Sequence, residues 1–186
     1  MPSVVDICNR ALDKLGQNPI TSLDDGNTAA NLCTRVWPIT RDQVLREHPW
    51  NFAVKRIVTA PSLTSPPWGF NYQHPIPSDC LRIIELQDVK ADEYQIENKN
   101  ILTDYDTLYL RYIYRVEDPN KFDSLFADLI ATRMAFEMCE GLTQSTTKKD
   151  WLWGEYKDAL TRSKRTDGQE NPLIEQAEDS WIEVRY

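Results

Sequence analysis

At His48-Pro49 the spacing of apolar residues changes from that of a helix to that of a strand, and after Asp118-Pro119 it changes back. A helix buries a stripe recurring at i, i+3 and i+4, whereas a half-buried strand buries every second residue. One segment cannot serve both patterns, so the chain must fold as helices, then strands, then helices. The helical segments on either side must pair with each other, because neither flank can bury its stripe alone.

The first helix carries its own boundaries. Ser3 with Asp6 three residues later forms an S-x-x-D capping pattern, and Val4, Ile7, Cys8, Ala11, Leu12 and Leu15 make one apolar stripe. Gly16 supplies a left-handed stop, and Pro19 prevents resumption. After the turn "SLDDGNT", Asn27 or Thr28 opens a second helix with the stripe Ala29, Leu32, Cys33, Val36, Trp37, Val44 and Leu45. Pro38 removes one amide and crowds the preceding turn, so a kink or break is expected near Arg35. In "LREHPWNFAVKR", Pro49 stops this helix and His48 closes its end, where a cation meets the dipole favourably. Trp50 and Phe52 are expected to turn inward, making His48, Pro49, Trp50 and Phe52 a structural joint.

From Trp50 the chain is β-branched and partly alternating. "NFAVKRIVTA" and "CLRIIELQDV" read as strands, separated by the long loop "PSLTSPPWGFNYQHPIPSD" with five prolines. "EYQIENKNILTD" reads as a hairpin turning at Asn98-Lys99-Asn100. "TLYLRYIYRV" places Tyr109, Arg111, Ile113 and Arg115 on one face and Leu110, Tyr112, Tyr114 and Val116 on the other. A long core helix follows from Phe122, closed by Gly141. A fourth, capped by Ser145 or Thr146, carries Trp151, Leu152, Tyr156, Ala159 and Leu160. The expected fold is α+β: an antiparallel bundle of about four helices from residues 1–49 and 117–166, a small antiparallel β-sheet domain inserted at 50–116, and an extended C-terminal arm at 167–186.

The chemistry-bearing residues are few. His48 and His74 are the only two histidines, and His74, in the proline-rich loop with no evident partner, is expected to be exposed. The chain lacks H-E-x-x-H, G-x-S-x-G, G-x-x-x-x-G-K-[ST] and G-x-G-x-x-G. "DDGN" at Asp24–Asn27 lacks the ligand spacing of a calcium loop and reads as a turn. No catalytic residue, cofactor or metal site is expected. Cys8, Cys33, Cys80 and Cys139 are far apart, and all four are expected to be reduced and structural.

Charge narrows the partners. With 29 acids against 21 bases the formal charge is −8, which repels phosphate backbones unless bases are concentrated locally. No apolar run approaches the roughly 18 residues of a membrane span. The opening segment mixes acids into its apolar pattern, unlike a signal peptide, so synthesis and assembly in a cytoplasm are expected. The credible positive face is Lys148, Lys149, Lys157, Arg162, Lys164 and Arg165 on the fourth helix. It precedes an acidic tail that ends in Trp181, Ile182, Arg185 and Tyr186, an aromatic and arginine cluster of the kind that anchors interfaces.

Three blocks, "ALDKLGQNPITSLDDGNTAA", "RDQVLREHPWNFAVKR" followed by "PIPSDCLRI", and "WGEYKDALTRSKRTDGQE" ending in "DSWIEVRY", stand in this order across nearly the whole chain. In that order they resemble the tubular tail protein A family, the head-to-tail adaptors of short-tailed bacteriophages. Pro38 departs from the family pattern by interrupting the second helix. The resemblance implies a virion protein, assembled in the host cytoplasm, that forms a ring of about twelve subunits. The ring would sit between the portal protein and the tail nozzle, a tubular tail protein B-like partner, with genomic DNA passing through unbound. Under this resemblance Lys148, Lys149, Arg162, Lys164, Arg165, Trp181, Ile182, Arg185 and Tyr186 are the expected portal and subunit contacts. Pro66, Pro67, Trp68, Phe70 and Tyr72 are the expected nozzle-facing loop. The rival readings are a tail-associated peptidoglycan-degrading enzyme and a DNA-binding factor that completes packaging.

Overall fold

Ser3 opens the first helix by a reciprocal cap: its hydroxyl accepts from the Asp6 amide while the Asp6 carboxylate accepts from the Ser3 amide. The computed structural model of the chain describes residues 3–170. The described residues form four α-helices and two three-stranded antiparallel sheets, an α+β fold. Helix α1 (Val4–Leu15) stops at Gly16 in the left-handed region, φ 71°. Helix α2 (Thr28–Glu47) is capped by the Asn27 side chain and ends at His48.

Of the kink or break expected near Arg35, the break is absent: α2 runs continuously from Thr28 to Glu47 through Pro38. Pro38 and Thr34, whose carbonyl loses its donor, both lie on the exposed side, where water can replace the missing bond. The buried side, with Cys33, Trp37, Thr40, Arg41 and Val44, holds the helix to the core.

A 3₁₀ turn at Asn51–Ala53 leads into β1 (Val54–Thr59). The proline-rich stretch is not structureless as expected, because it contains the short strand β2 (Tyr72–Pro75). Strands β3 (Cys80–Leu86), β4 (Tyr94–Glu97), β5 (Asn100–Thr103) and β6 (Leu108–Tyr114) follow. Asn98 and Lys99 both take positive φ in the β4–β5 turn, the geometry of a tight two-residue hairpin. The first sheet has the order β1-β6-β3 and the second β2-β5-β4, so the β segment folds as two sheets rather than one.

Helix α3 (Ser124–Thr143), capped by Asp123, continues past Gly141 to a left-handed Gln144. Gly141 is exposed and faces the Leu32 side chain, so it sits within the helix instead of ending it. Helix α4 (Thr146–Glu170) extends through Gly168, and so occupies residues 167–170, which were expected to begin an extended arm. The rest of that arm, including Trp181, Ile182, Arg185 and Tyr186, lies outside the described residues.

α3 packs against α1, α2 and α4, so helices before and after the β segment share one core. Its centre is fully buried: Leu12, Leu45, Trp50, Phe126, Leu129, Ile130 and Leu152. Leu108, Leu110 and Tyr112 of β6 point into a second core with Leu86 and Ile101. Ile113, on the opposite face of the same strand, enters the helical core. The first sheet is therefore sandwiched at one end between the helices and the second sheet.

Candidate interaction surfaces

The Pro49 corner is where the helical core meets the first sheet. Trp50 is fully buried, and its indole N–H donates to the Val44 carbonyl at 3.0 Å, the last-turn acceptor left open where α2 ends. Around it pack Phe126 edge-on at 5.0 Å between ring centroids, His48 edge-on at 4.8 Å, and Phe52 at 6.5 Å. Phe52 in turn meets Phe122 and Phe126. Aromatic pairs in such tilted arrangements add to what their buried area contributes. An ion pair and a hydrogen bond tie the corner outward: Arg115, just after β6, pairs with Asp42 of α2 at 2.8 Å, and the Arg46 guanidinium donates to the Leu81 carbonyl of β3.

Asp167 is a residue that sequence reasoning missed. It is buried near the end of α4, and one carboxylate oxygen lies 3.1 Å from Nε2 of His48. The other accepts from the Asn51 amide, and the Asn51 side chain donates to the Asp167 carbonyl. The last turn of α4 is thereby latched to the Pro49 corner across 116 positions of sequence. His48 thus faces Asp167 as well as the end of its own helix. Its pKa is held below the ordinary value: burial and the charges of Lys164 and Arg82 outweigh the pull of Asp167. No local pattern signals this contact, since Asp167 lies in a run of ordinary polar residues.

The basic residues of α4 do not gather into one patch. Lys148 donates to the Leu15 carbonyl at 2.8 Å, satisfying an open acceptor at the end of α1, and Lys149 pairs with Glu140 at 2.8 Å. Arg162 and Arg165 are exposed and Lys164 half-buried, some thirteen positions further along, or about 20 Å by helical rise. On another side of α4, Arg133 lies between the rings of Phe136, Trp153 and Tyr156, each 5.3 Å away, and pairs with Glu137. Trp153 beside it is partly exposed, and Trp151, two positions earlier on α4, exposes more than half of its surface.

The proline-rich loop has a fixed foot and an apolar tip. His74 is completely buried, in contrast to its expected exposure: Nδ1 meets the Thr59 hydroxyl at 3.1 Å and Nε2 the Tyr105 carbonyl at 2.9 Å. The Ser62 amide donates to the Gln73 carbonyl, and the Asn71 amide to Asp104. Beyond this foot Trp68 is 84% exposed and Leu63 fully so, with Pro67 exposed and Pro66, Phe70 and Tyr72 half-buried.

The fourth surface is the open end of the first sheet. Arg56 of β1 and Arg111 of β6 stand directly opposite each other, with Val58 opposite Tyr109 in the next row outward. Together with Glu85 and Gln87 they line a concavity of about 380 Å³. No protein-family model matches the chain, and no curated protein matches it.

All four cysteines are free: Cys8, Cys33 and Cys139 are buried in the helical core, and Cys80 is half-buried against the second core. The described residues hold no cluster of histidine, cysteine and carboxylate groups able to bind a metal, and no helix among them is long and apolar enough to cross a membrane.

Proposed function

We propose that the protein is a structural head-to-tail adaptor of a bacteriophage virion, joining a portal to a tail nozzle as one subunit of a ring. The observation that carries this reading is the presence of separate apolar contact surfaces on different elements of one folded unit. Trp68 and Leu63 project from the loop of the β segment, while Trp151, Trp153 and Ile39 are exposed on the helices. A ring subunit that also meets a body above and a body below needs several such surfaces, and exposed tryptophans on separate elements are the kind of side chain that anchors them. The ordered sequence resemblance to tubular tail protein A supports the same role.

In this reading the helices form the bundle that carries the ring, and the proline-rich loop faces the nozzle. The C-terminal arm with Trp181, Ile182, Arg185 and Tyr186, together with Arg162, Lys164 and Arg165, meets the portal. Lys148 and Lys149 are internal ties and contribute less to that contact than expected from sequence. The work is assembly and not catalysis. DNA passes an acidic subunit whose charge of −8 gives phosphates little to hold.

Electron microscopy of the protein alone and mixed with its portal tests the reading. Rings seated on the portal are the expected result. Absence of any complex with the portal at micromolar concentration would overturn it.

A further inference from the structure

Like charges directly opposite on neighbouring strands repel, so a pair such as Arg56 and Arg111 calls for an anion. The internal supply falls short of that need. Glu85 reaches one terminal nitrogen of Arg111 at 3.2 Å, but Nε of Arg111 is buried with no hydrogen-bond partner. The side chain of Arg56 makes no hydrogen bond or ion pair with any described residue. Val58 and Tyr109, 61% and 53% exposed, extend the cleft with apolar surface. The site therefore favours a segment carrying both carboxylates and apolar side chains.

The chain supplies such a segment close by. Arg111 and Tyr109 share the face of β6 whose Ile113 enters the helical core, so the open cleft begins where the helices end. Asp167 fixes the last turn of α4 at Asn51, five positions before Arg56 on the same strand lead-in. Lys164 and Arg82 both act electrostatically on His48, so two cations stand near the corner where α4 ends. Residues 171–186 contain Glu175, Glu178, Asp179 and Glu183 against the single base Arg185. From Glu170, an extended chain reaches about 17 Å at Glu175 and about 30 Å at Asp179. Five residues of β lead-in span no more than about 17 Å.

We infer that the acidic stretch Glu175–Asp179 docks in the same molecule onto the Arg56–Arg111 cleft of the first sheet, as an intramolecular strap. The carboxylates of Glu178 and Asp179 pair with the two guanidiniums. The apolar residues after them, Trp181 and Ile182, then lie along Val58 and Tyr109. The strap holds the C-terminal arm against its own subunit until a stronger partner takes the aromatic residues. It does not depend on what that partner is.

Photo-crosslinking of the full chain tests this, with p-benzoyl-phenylalanine placed at Val58 or, separately, at Gln87 on the cleft rim. The expected product is a crosslink from the cleft to a peptide within 171–186, recovered from the monomer band. Its yield should fall about tenfold in the E178K/D179K variant, whose changes touch no described contact, and by a similar factor in high salt. Adding R56E/R111E to E178K/D179K should restore it, with circular dichroism confirming that each variant is folded. No crosslink to 171–186, a yield insensitive to charge reversal, or a crosslink recovered only between chains would each overturn the strap. A failed strap with intact portal rings leaves the adaptor reading standing, and the converse result separates the two the other way.

Discussion

Trp50 contributes to stability through both its ring and its N–H. The ring fills the space between His48, Phe52 and Phe126, and the N–H satisfies the Val44 carbonyl. Trp50→Ala removes a fully buried indole, a class of change that costs about 3–5 kcal/mol. Trp50→Phe keeps most of the apolar volume but leaves the Val44 acceptor unpaired, a loss of about 1–3 kcal/mol. Urea denaturation of the two variants should rank them in that order. If Trp50→Ala unfolded at the wild-type midpoint, the corner would not join the two halves of the molecule. A second residue-scale effect follows from His48. Its pKa is lower when folded than the ordinary value near 6.5, so the unfolded chain binds the proton more readily. This group's contribution is therefore fully present above pH 6.5 and is lost as pH falls from there through the folded pKa. His48→Gln removes the titration, so the difference in unfolding midpoint between wild type and variant should shrink or reverse on going from pH 7.5 to pH 5. A difference constant over that range would rule out the latch as a titrating contact.

Elements were legible where local rules decide them and obscure where distant contacts do. Ser3, Asp6, Gly16 and Pro49 act within one turn, and the boundaries they imply for α1 and for the end of α2 are present in the structure. Strand β2 is four residues long and exists because β5, nearly thirty positions later, pairs with it. His74 is buried by the same long-range pairing, which no reading of its proline-rich neighbours could supply. The end of α4 is a similar case: Gly168 argues for a stop, yet the Asp167 contacts to Asn51 and His48 carry the helix past it. The candidate surfaces divide likewise. Trp50 and Phe52 announced themselves as aromatic residues at a change of period, but Arg56 and Arg111 become a pair only through strand register. Helix α4 also contains Gly154, where an added Cβ would meet nothing within 4 Å. An interior helical glycine costs roughly 0.5–1 kcal/mol relative to alanine, so Gly154→Ala should raise the unfolding free energy by that amount. Thermal melts would detect it as an increase of a few degrees, and a decrease would mean that α4 needs a bend at this point.

At the scale of the whole molecule, the buried and the exposed aromatic residues are different ones, and under the adaptor reading this separates folding from assembly experimentally. Trp50 is enclosed by the core, whereas Trp68 is 84% exposed at the tip of a loop whose foot is secured by His74, Thr59 and Asp104. Truncating Trp68 removes almost no buried surface in the isolated subunit, so Trp68→Ala should leave the unfolding free energy within about 0.5 kcal/mol of wild type. An exposed tryptophan that becomes the centre of an interface, however, typically costs 2 kcal/mol or more when truncated, roughly thirtyfold or more in affinity. Under the adaptor reading that loss falls on the body below the ring and not on the portal above it. Pull-down of wild type and Trp68→Ala with a nozzle protein and with a portal, in parallel, measures both. Selective loss of the nozzle places the loop at the lower face. Equal binding to both bodies by the variant would remove the loop from the assembly altogether. Loss of the portal alone would turn the subunit over, putting the first sheet and its arginine cleft on the side of the DNA-filled head.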